Sequence, residues 1–338
     1  MKRTLKITAS SLLALCGLFA IGPRPKFPEI DGRVIVQSLN LATLEASIAQ
    51  QEAAVADLKP NNEGRIIWAD SVRQTEYALV YLHGFSASPM EGEPTHREFA
   101  RRYGMNLYIP RLVGHGLDDP DSFETLQPSD LVNSAKEALN IGLSLGKKVI
   151  LMSCSTGSSL SIYLAAENPD LVEALIFYSP NIDLADPTSD ILLYPWAEQL
   201  TQGILGKYRH QDHLKGTEKE KINTVIYRSS GLIALKALLE ETMTPATFAK
   251  IEQPYFLGYY YKSETEQDPV VSVPAMLQFD AQTKTVVEKK RVVAFPDANT
   301  HVIPSEWDNP NVESVQKETY RFAEEVLQLK AVEKGAVN

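Results

Sequence analysis

The residues best placed to do chemistry form the run Ser153-Cys154-Ser155-Thr156-Gly157. A short apolar stretch, residues 149–152, precedes them, and an apolar-periodic segment, residues 160–166, follows. The first pattern predicts a buried strand and the second a helix, so the small residues fall on a tight strand-to-helix turn. A serine at the tip of such a turn holds its hydroxyl away from the backbone, beside the N–H groups that open the helix. That geometry suits an attacking nucleophile, with Ser155 in the role. The same residues also suit an ordinary junction whose serines cap the helix.

The surrounding pattern must decide between the two. Strand signals recur at residues 65–69, 78–82, 106–109, 149–152, 174–178, 254–261 and 291–295. Helical periodicity fills residues 41–58, 131–145, 160–166 and 312–329. Strands alternating with helices predict a mostly parallel sheet covered on both faces. Between residues 181 and 250 the alternation stops. Helical segments there carry Leu192, Tyr194, Trp196, Ile204, Leu235 and Leu239. His210 and His213 lie in the polar part of this insertion and are expected in solvent.

Ser153–Gly157 resembles the nucleophile elbow of the α/β-hydrolases, with Ser153 standing where the motif usually has its first glycine. His83-Gly84-Phe85-Ser86 resembles the oxyanion loop of bacterial carboxylesterases and monoacylglycerol lipases. The segment ending in Gly114-His115-Gly116 is similar to a loop of the same families. The resemblance implies an α/β-hydrolase fold, a mostly parallel central sheet flanked by helices. It implies a hydrolase domain over residues 29–338, with a helical cap inserted at about residues 181–250. It also implies a triad in the order Ser155, Asp268, His301. Asp268-Pro269-Val270-Val271 matches the acid loop, with Glu264 and Glu266 as competitors, and His301 follows the last strand. The backbone N–H groups of Phe85 and Thr156 would form the oxyanion hole, stabilising the charge that develops on a substrate carbonyl. Ser153, Gly157, His83 and Gly84 would support the elbow and the loop, with His83 and His115 as loop organisers.

The implied reaction is hydrolysis of a carboxylic ester, by a carboxylesterase or a monoacylglycerol or lysophospholipid lipase. The partner would be a small-molecule ester with an apolar acyl chain. An alternative is a serine aminopeptidase type of amidase, whose substrate amine could meet Asp183, Asp186, Asp190 or Glu198 of the insertion. A third is a non-catalytic binding protein on a hydrolase scaffold, which the presence of all three triad residue types disfavours. No metal or organic cofactor is implied.

Composition agrees with a globular enzyme: 338 residues, 44% hydrophobic and 22% charged. The formal net charge of -10, without long basic runs, disfavours nucleic acid as a partner. The two cysteines, Cys16 and Cys154, make neither a disulfide framework nor a metal-binding pair. Residues 1–6 are basic and residues 7–22 uncharged and mostly apolar, the pattern of an export signal or anchor. Pro23 after Gly22 disfavours cleavage there, which leaves an uncleaved anchor open beside a cleaved signal, with residues 23–28 as a linker. The protein would then be exported to the periplasm or held at a membrane, its body across from the basic end.

Overall fold

The computed structural model describes residues 16–332. Its centre is one seven-stranded sheet of β1 (Arg65–Ile67), β2 (Thr75–Leu82), β3 (Asn106–Ile109), β4 (Gly146–Cys154), β5 (Ala174–Tyr178), β6 (Tyr255–Tyr259) and β7 (Lys290–Ala294). The spatial order is β1-β3-β2-β4-β5-β6-β7. Only β1, on the edge, is antiparallel to its neighbour; all other pairs are parallel. A parallel sheet needs cover on both faces. The helices Pro128–Leu145 and Thr156–Glu167 pack on one face, and Thr95–Tyr103 and Val312–Glu325 on the other. The period-two alternation of a strand then sorts β4 between two cores. Val149 and Leu151 join the first core, and Ile150, Met152 and Cys154 the second. The predicted fold class is present.

Several boundaries differ from the sequence pattern. The first long helix ends at Ala53, not near residue 58, because the chain turns and Val55 N–H bonds back to Glu52. The strand expected over residues 254–261 breaks after Tyr259 and resumes as the short strand Tyr261–Ser263, paired with Glu266–Gln267. The region between β5 and β6 is not wholly helical. Beside the helices Ala197–Leu205 and Ser230–Thr242 it holds an antiparallel pair, Tyr208–His210 with Ile226–Arg228. His210 and His213 are exposed.

Residues 23–28, read as a linker, and the residues after them up to Val34 are docked along the body. Trp196 N–H donates to the Pro23 carbonyl at 2.7 Å. Tyr163 Oη donates to the Ile30 carbonyl at 3.1 Å, and the Asn168 side chain brackets the Gly32 carbonyl and the Val34 N–H at 2.8 Å each. Phe27 packs against both the main core and the small cluster of Leu192, Ala197 and Ile233. Prolines favour an extended chain with few internal hydrogen bonds, and here the body supplies the partners instead. Most of the apolar run at residues 7–22 lies outside the described residues. Its described end is helical over residues 16–20 and meets the Trp196 ring at Gly22. Among the described residues no helix is long and apolar enough to cross a membrane.

If residues 23–39 are part of the fold, Phe27→Ala lowers stability by about 1–3 kcal/mol. Deleting residues 1–39 then lowers the melting temperature by several degrees, whereas deleting residues 1–22 leaves it unchanged. Calorimetry of the three variants checks this; equal melting temperatures would show that the segment carries no stability.

Candidate active site

Ser155 sits where β4 ends and the helix Thr156–Glu167 begins, with φ 53° and ψ −123°. A positive φ at a residue other than glycine is strained and persists only where its surroundings hold it. Here they do. Ser155 N–H donates to the Tyr178 carbonyl at 3.0 Å, and the Ser155 carbonyl accepts from Ser158 N–H at 2.9 Å and from Asn181 N–H at 3.1 Å. Gly157 must lack a side chain, since a Cβ there would stand 2.0 Å from the Leu82 carbonyl oxygen. Ser153 is fully buried with its hydroxyl toward the Ile176 carbonyl, so a small residue is what the site accepts. Thr156 opens the helix, its N–H among the groups left without an intrahelical partner.

The loop after β2 passes over this turn. A methyl group at Gly84 would meet Ser155 Cβ at 3.1 Å, so the loop backbone lies on the serine. His83 is fully buried and ties the loop in place. Its Nε2 accepts from Leu112 N–H at 3.0 Å, which leaves Nδ1 to donate to the Gly84 carbonyl at 2.9 Å. Burial, with His115 adding to it, pushes its pKa well below the ordinary histidine value, so the ring is neutral. His115 is likewise held neutral, its pKa lowered by burial to about 4, and its ring packs edge-on against Phe85.

Asp268 and His301 meet across the loops that follow β6 and β7. Asp268 is buried, and its Oδ1 accepts from the N–H groups of Val270 at 2.9 Å and Val271 at 3.1 Å. Its Oδ2 lies 2.7 Å from His301 Nδ1. A carboxylate only accepts, so Nδ1 carries the proton and Nε2 is left free as a base. Burial opposes charge on Asp268, yet His301 and the two backbone N–H groups hold its pKa below the usual carboxylate value. Burial also opposes charge on His301, but Asp268, with Glu91 and Asp308, raises its pKa above the ordinary value. Glu264 and Glu266 are exposed, and Glu266 pairs with Lys262. Ser155 Oγ makes no hydrogen bond to His301 among the described residues. Such contacts often tighten only when substrate is bound.

The region between β5 and β6 reaches the loop after β2 and the histidine loop. Thr224 N–H donates to the Ser86 carbonyl at 2.7 Å, and Gln211 Nε2 to Ser86 Oγ at 2.8 Å. The Tyr227 ring packs edge-on to Phe85, and Lys219 pairs with Asp308 on the histidine loop. A cleft of about 480 Å³ lies between this region and the body, lined in part by Met90, Ile222, Val225 and Trp307. Asp183 and Asp190 both pair with buried Lys236, while Asp186 caps the following turn and Glu198 is exposed. No cluster of three metal-ligating side chains occurs among the described residues.

Two groups escaped the sequence reading. Asn181, just past β5, braces the elbow from its far side, with its Nδ2 toward Thr156 Oγ1 at 3.4 Å. Glu91 is buried in the loop after β2, where it accepts from Gly84 N–H and Tyr81 Oη. Neither belongs to the motifs that point to the other residues. A lone Glu in a Pro-Met-Glu-Gly turn gives no signal of burial.

Residues 79–313 match the alpha/beta hydrolase family. No curated protein matches the chain in sequence. Among solved structures, one from work on the metagenome-derived lipolytic enzymes LipS and LipT is similar with a TM-score of 0.64 at 14% identity, over 78% of this chain and 98% of that one. The monoacylglycerol lipase of Paleococcus ferrophilus is similar with a TM-score of 0.56 at 14% identity, over 77% of this chain and 98% of that one. Est1E from Butyrivibrio proteoclasticus, bound to ferulic acid, is similar with a TM-score of 0.52 at 16% identity, over 79% and 95%. At these identities the likeness is one of fold.

Proposed function

Since the chain belongs to the alpha/beta hydrolase family, we propose that it is a serine hydrolase that cleaves carboxylic esters through an acyl-enzyme on Ser155. The observation that carries this reading is the buried Asp268–His301 hydrogen bond, which leaves His301 Nε2 free as a base. His301 Nε2 takes the Ser155 proton as Oγ attacks the carbonyl carbon. The tetrahedral oxyanion is met by the N–H groups of Phe85 and Thr156, donors of a kind worth about 3–4 kcal/mol each in such sites. Collapse expels the alcohol, which takes the proton from His301. Water, deprotonated by the same histidine, then releases the acid. Asp268 holds the tautomer and stabilises the imidazolium formed in each half. The insertion over residues 181–250 serves as the cap, and the substrate class proposed is an ester with an apolar acyl chain. An amine-holding peptidase would need a free carboxylate in the cap. Of the four carboxylates considered, Asp183 and Asp190 share Lys236, Asp186 caps a turn and Glu198 points to solvent.

The test is a panel of p-nitrophenyl esters of graded chain length against aminoacyl anilides. Esters are turned over and anilides are not. Ser155→Ala loses activity by about 10⁴-fold or more with an unchanged melting temperature. His301→Ala follows it closely, and Asp268→Asn loses less. A folded Ser155→Ala variant with near-wild-type activity would overturn the assignment.

The N-terminal reading extends to location. Residues 1–22 act as an export signal or retained anchor that places the body in the periplasm or at the outer face of a membrane. Fractionation of the native host should find the protein with membranes, and a form lacking residues 1–22 should be soluble and active. Recovery of the intact chain from the cytosol would contradict this.

A further inference from the structure

We infer that Glu91 is a positioning residue of this site: its side chain pins the Gly84 backbone over Ser155. The inference rests on the triad reading above. Glu91 lies in the short turn Pro89–Gly92, whose start is capped by the Ser88 side chain. The turn is seated flush on β2, since a methyl group at Gly92 would stand 2.5 Å from the Tyr81 ring. From there Glu91 Oε2 accepts from Gly84 N–H at 2.9 Å and from Tyr81 Oη at 3.1 Å. Its Oε1 is turned to the other side of Gly84. A methyl group on Gly84 would meet that oxygen at 2.9 Å and Ser155 Oγ at 3.6 Å. The residue after Gly84 is Phe85, whose N–H is the proposed oxyanion donor. Loss of the carboxylate would free the peptide that aims it.

A carboxylate buried this deeply is costly unless it is bonded or paired. Two groups hydrogen-bond to it, Gly84 N–H and the Tyr81 hydroxyl. Burial pushes its pKa up to about 7 against the pull of these groups, and Asp308 adds to the rise. The other titratable groups around it are accounted for. The Cys154 thiol at the end of β4 is raised well above its ordinary value by burial and then by Glu91. His96, on the helix Thr95–Tyr103, stands edge-on to Tyr81 and is kept neutral by burial, its pKa about 3. Glu93 pairs with Arg97, and Asp308 pairs with Lys219. The hydrogen-bond partners of Glu91 are thus Gly84 N–H and the Tyr81 hydroxyl, and the first of these is the link to the oxyanion loop.

The experiment compares Glu91→Gln and Glu91→Ala with wild type by ester kinetics across pH and by the rate of fluorophosphonate labelling. Gln keeps an acceptor for Gly84 N–H but carries no charge. Because the acceptor is kept, kcat of the Gln variant stays within about 3-fold of wild type, at an unchanged melting temperature. Ala removes the acceptor too. Its kcat falls about 10-fold or more, toward the loss of a full oxyanion donor, with KM little changed and labelling slowed in proportion. Should the Ala variant fail to fold, Glu91→Asp, whose shorter side chain draws the oxygens away from Gly84 N–H, takes its place with the same expected loss of kcat. A folded Ala or Asp variant with wild-type kcat and labelling rate overturns the inference while the triad reading stands. Wild-type protein that neither hydrolyses esters nor takes the probe overturns both.

Discussion

The left-handed backbone of Ser155 is the constraint around which the rest of the site is arranged. A residue with a side chain in that conformation costs about 1–3 kcal/mol relative to a relaxed turn. The cost is borne because β4 runs between β2 and β5 and both neighbours grip the turn. Tyr178 and Asn181 at the end of β5 hold its N–H and its carbonyl. Gly157 lets the following helix press against the end of β2. The strain buys a hydroxyl that stands clear of its own backbone while the first N–H groups of a helix point past it.

The region between β5 and β6 is joined to the loop after β2 and to the histidine loop. Thr224 and Gln211 bond to Ser86, Tyr227 packs on Phe85, and Lys219 pairs with Asp308. Movement of this region would therefore be felt at the groups proposed to hold the oxyanion and the proton. Phe27 touches the core and the cluster of Leu192, Ala197 and Ile233 at once, so the N-terminal segment ties the same region.

Much of this was legible in the sequence, and the parts that were not share a cause. Apolar strands and helices buried on two faces announce themselves by period, which is why β2, β4 and β5 stand close to where the pattern puts them. Ser155, Asp268 and His301 were legible through short motifs set at the ends of those strands. The docked segment at residues 23–39 was not. Its partners Trp196, Tyr163 and Asn168 are more than a hundred residues away, and its prolines read as a spacer. The strands Tyr208–His210 and Ile226–Arg228 are too short and too polar to show a period. Glu91 gives no local signal, since its burial comes from the Tyr81 and Gly84 backbone folding over it. Local pattern encodes elements, while the contacts that brace the site come from chain segments brought together only by the fold.

The central claim is that Ser155 is a nucleophile activated by His301. Its most direct test is peptide mass spectrometry of the protein after reaction with a fluorophosphonate at neutral pH. The account predicts a single adduct on Ser155, and its loss in a folded His301→Ala variant. An adduct on another residue, or labelling of Ser155 at the same rate without His301, would contradict it.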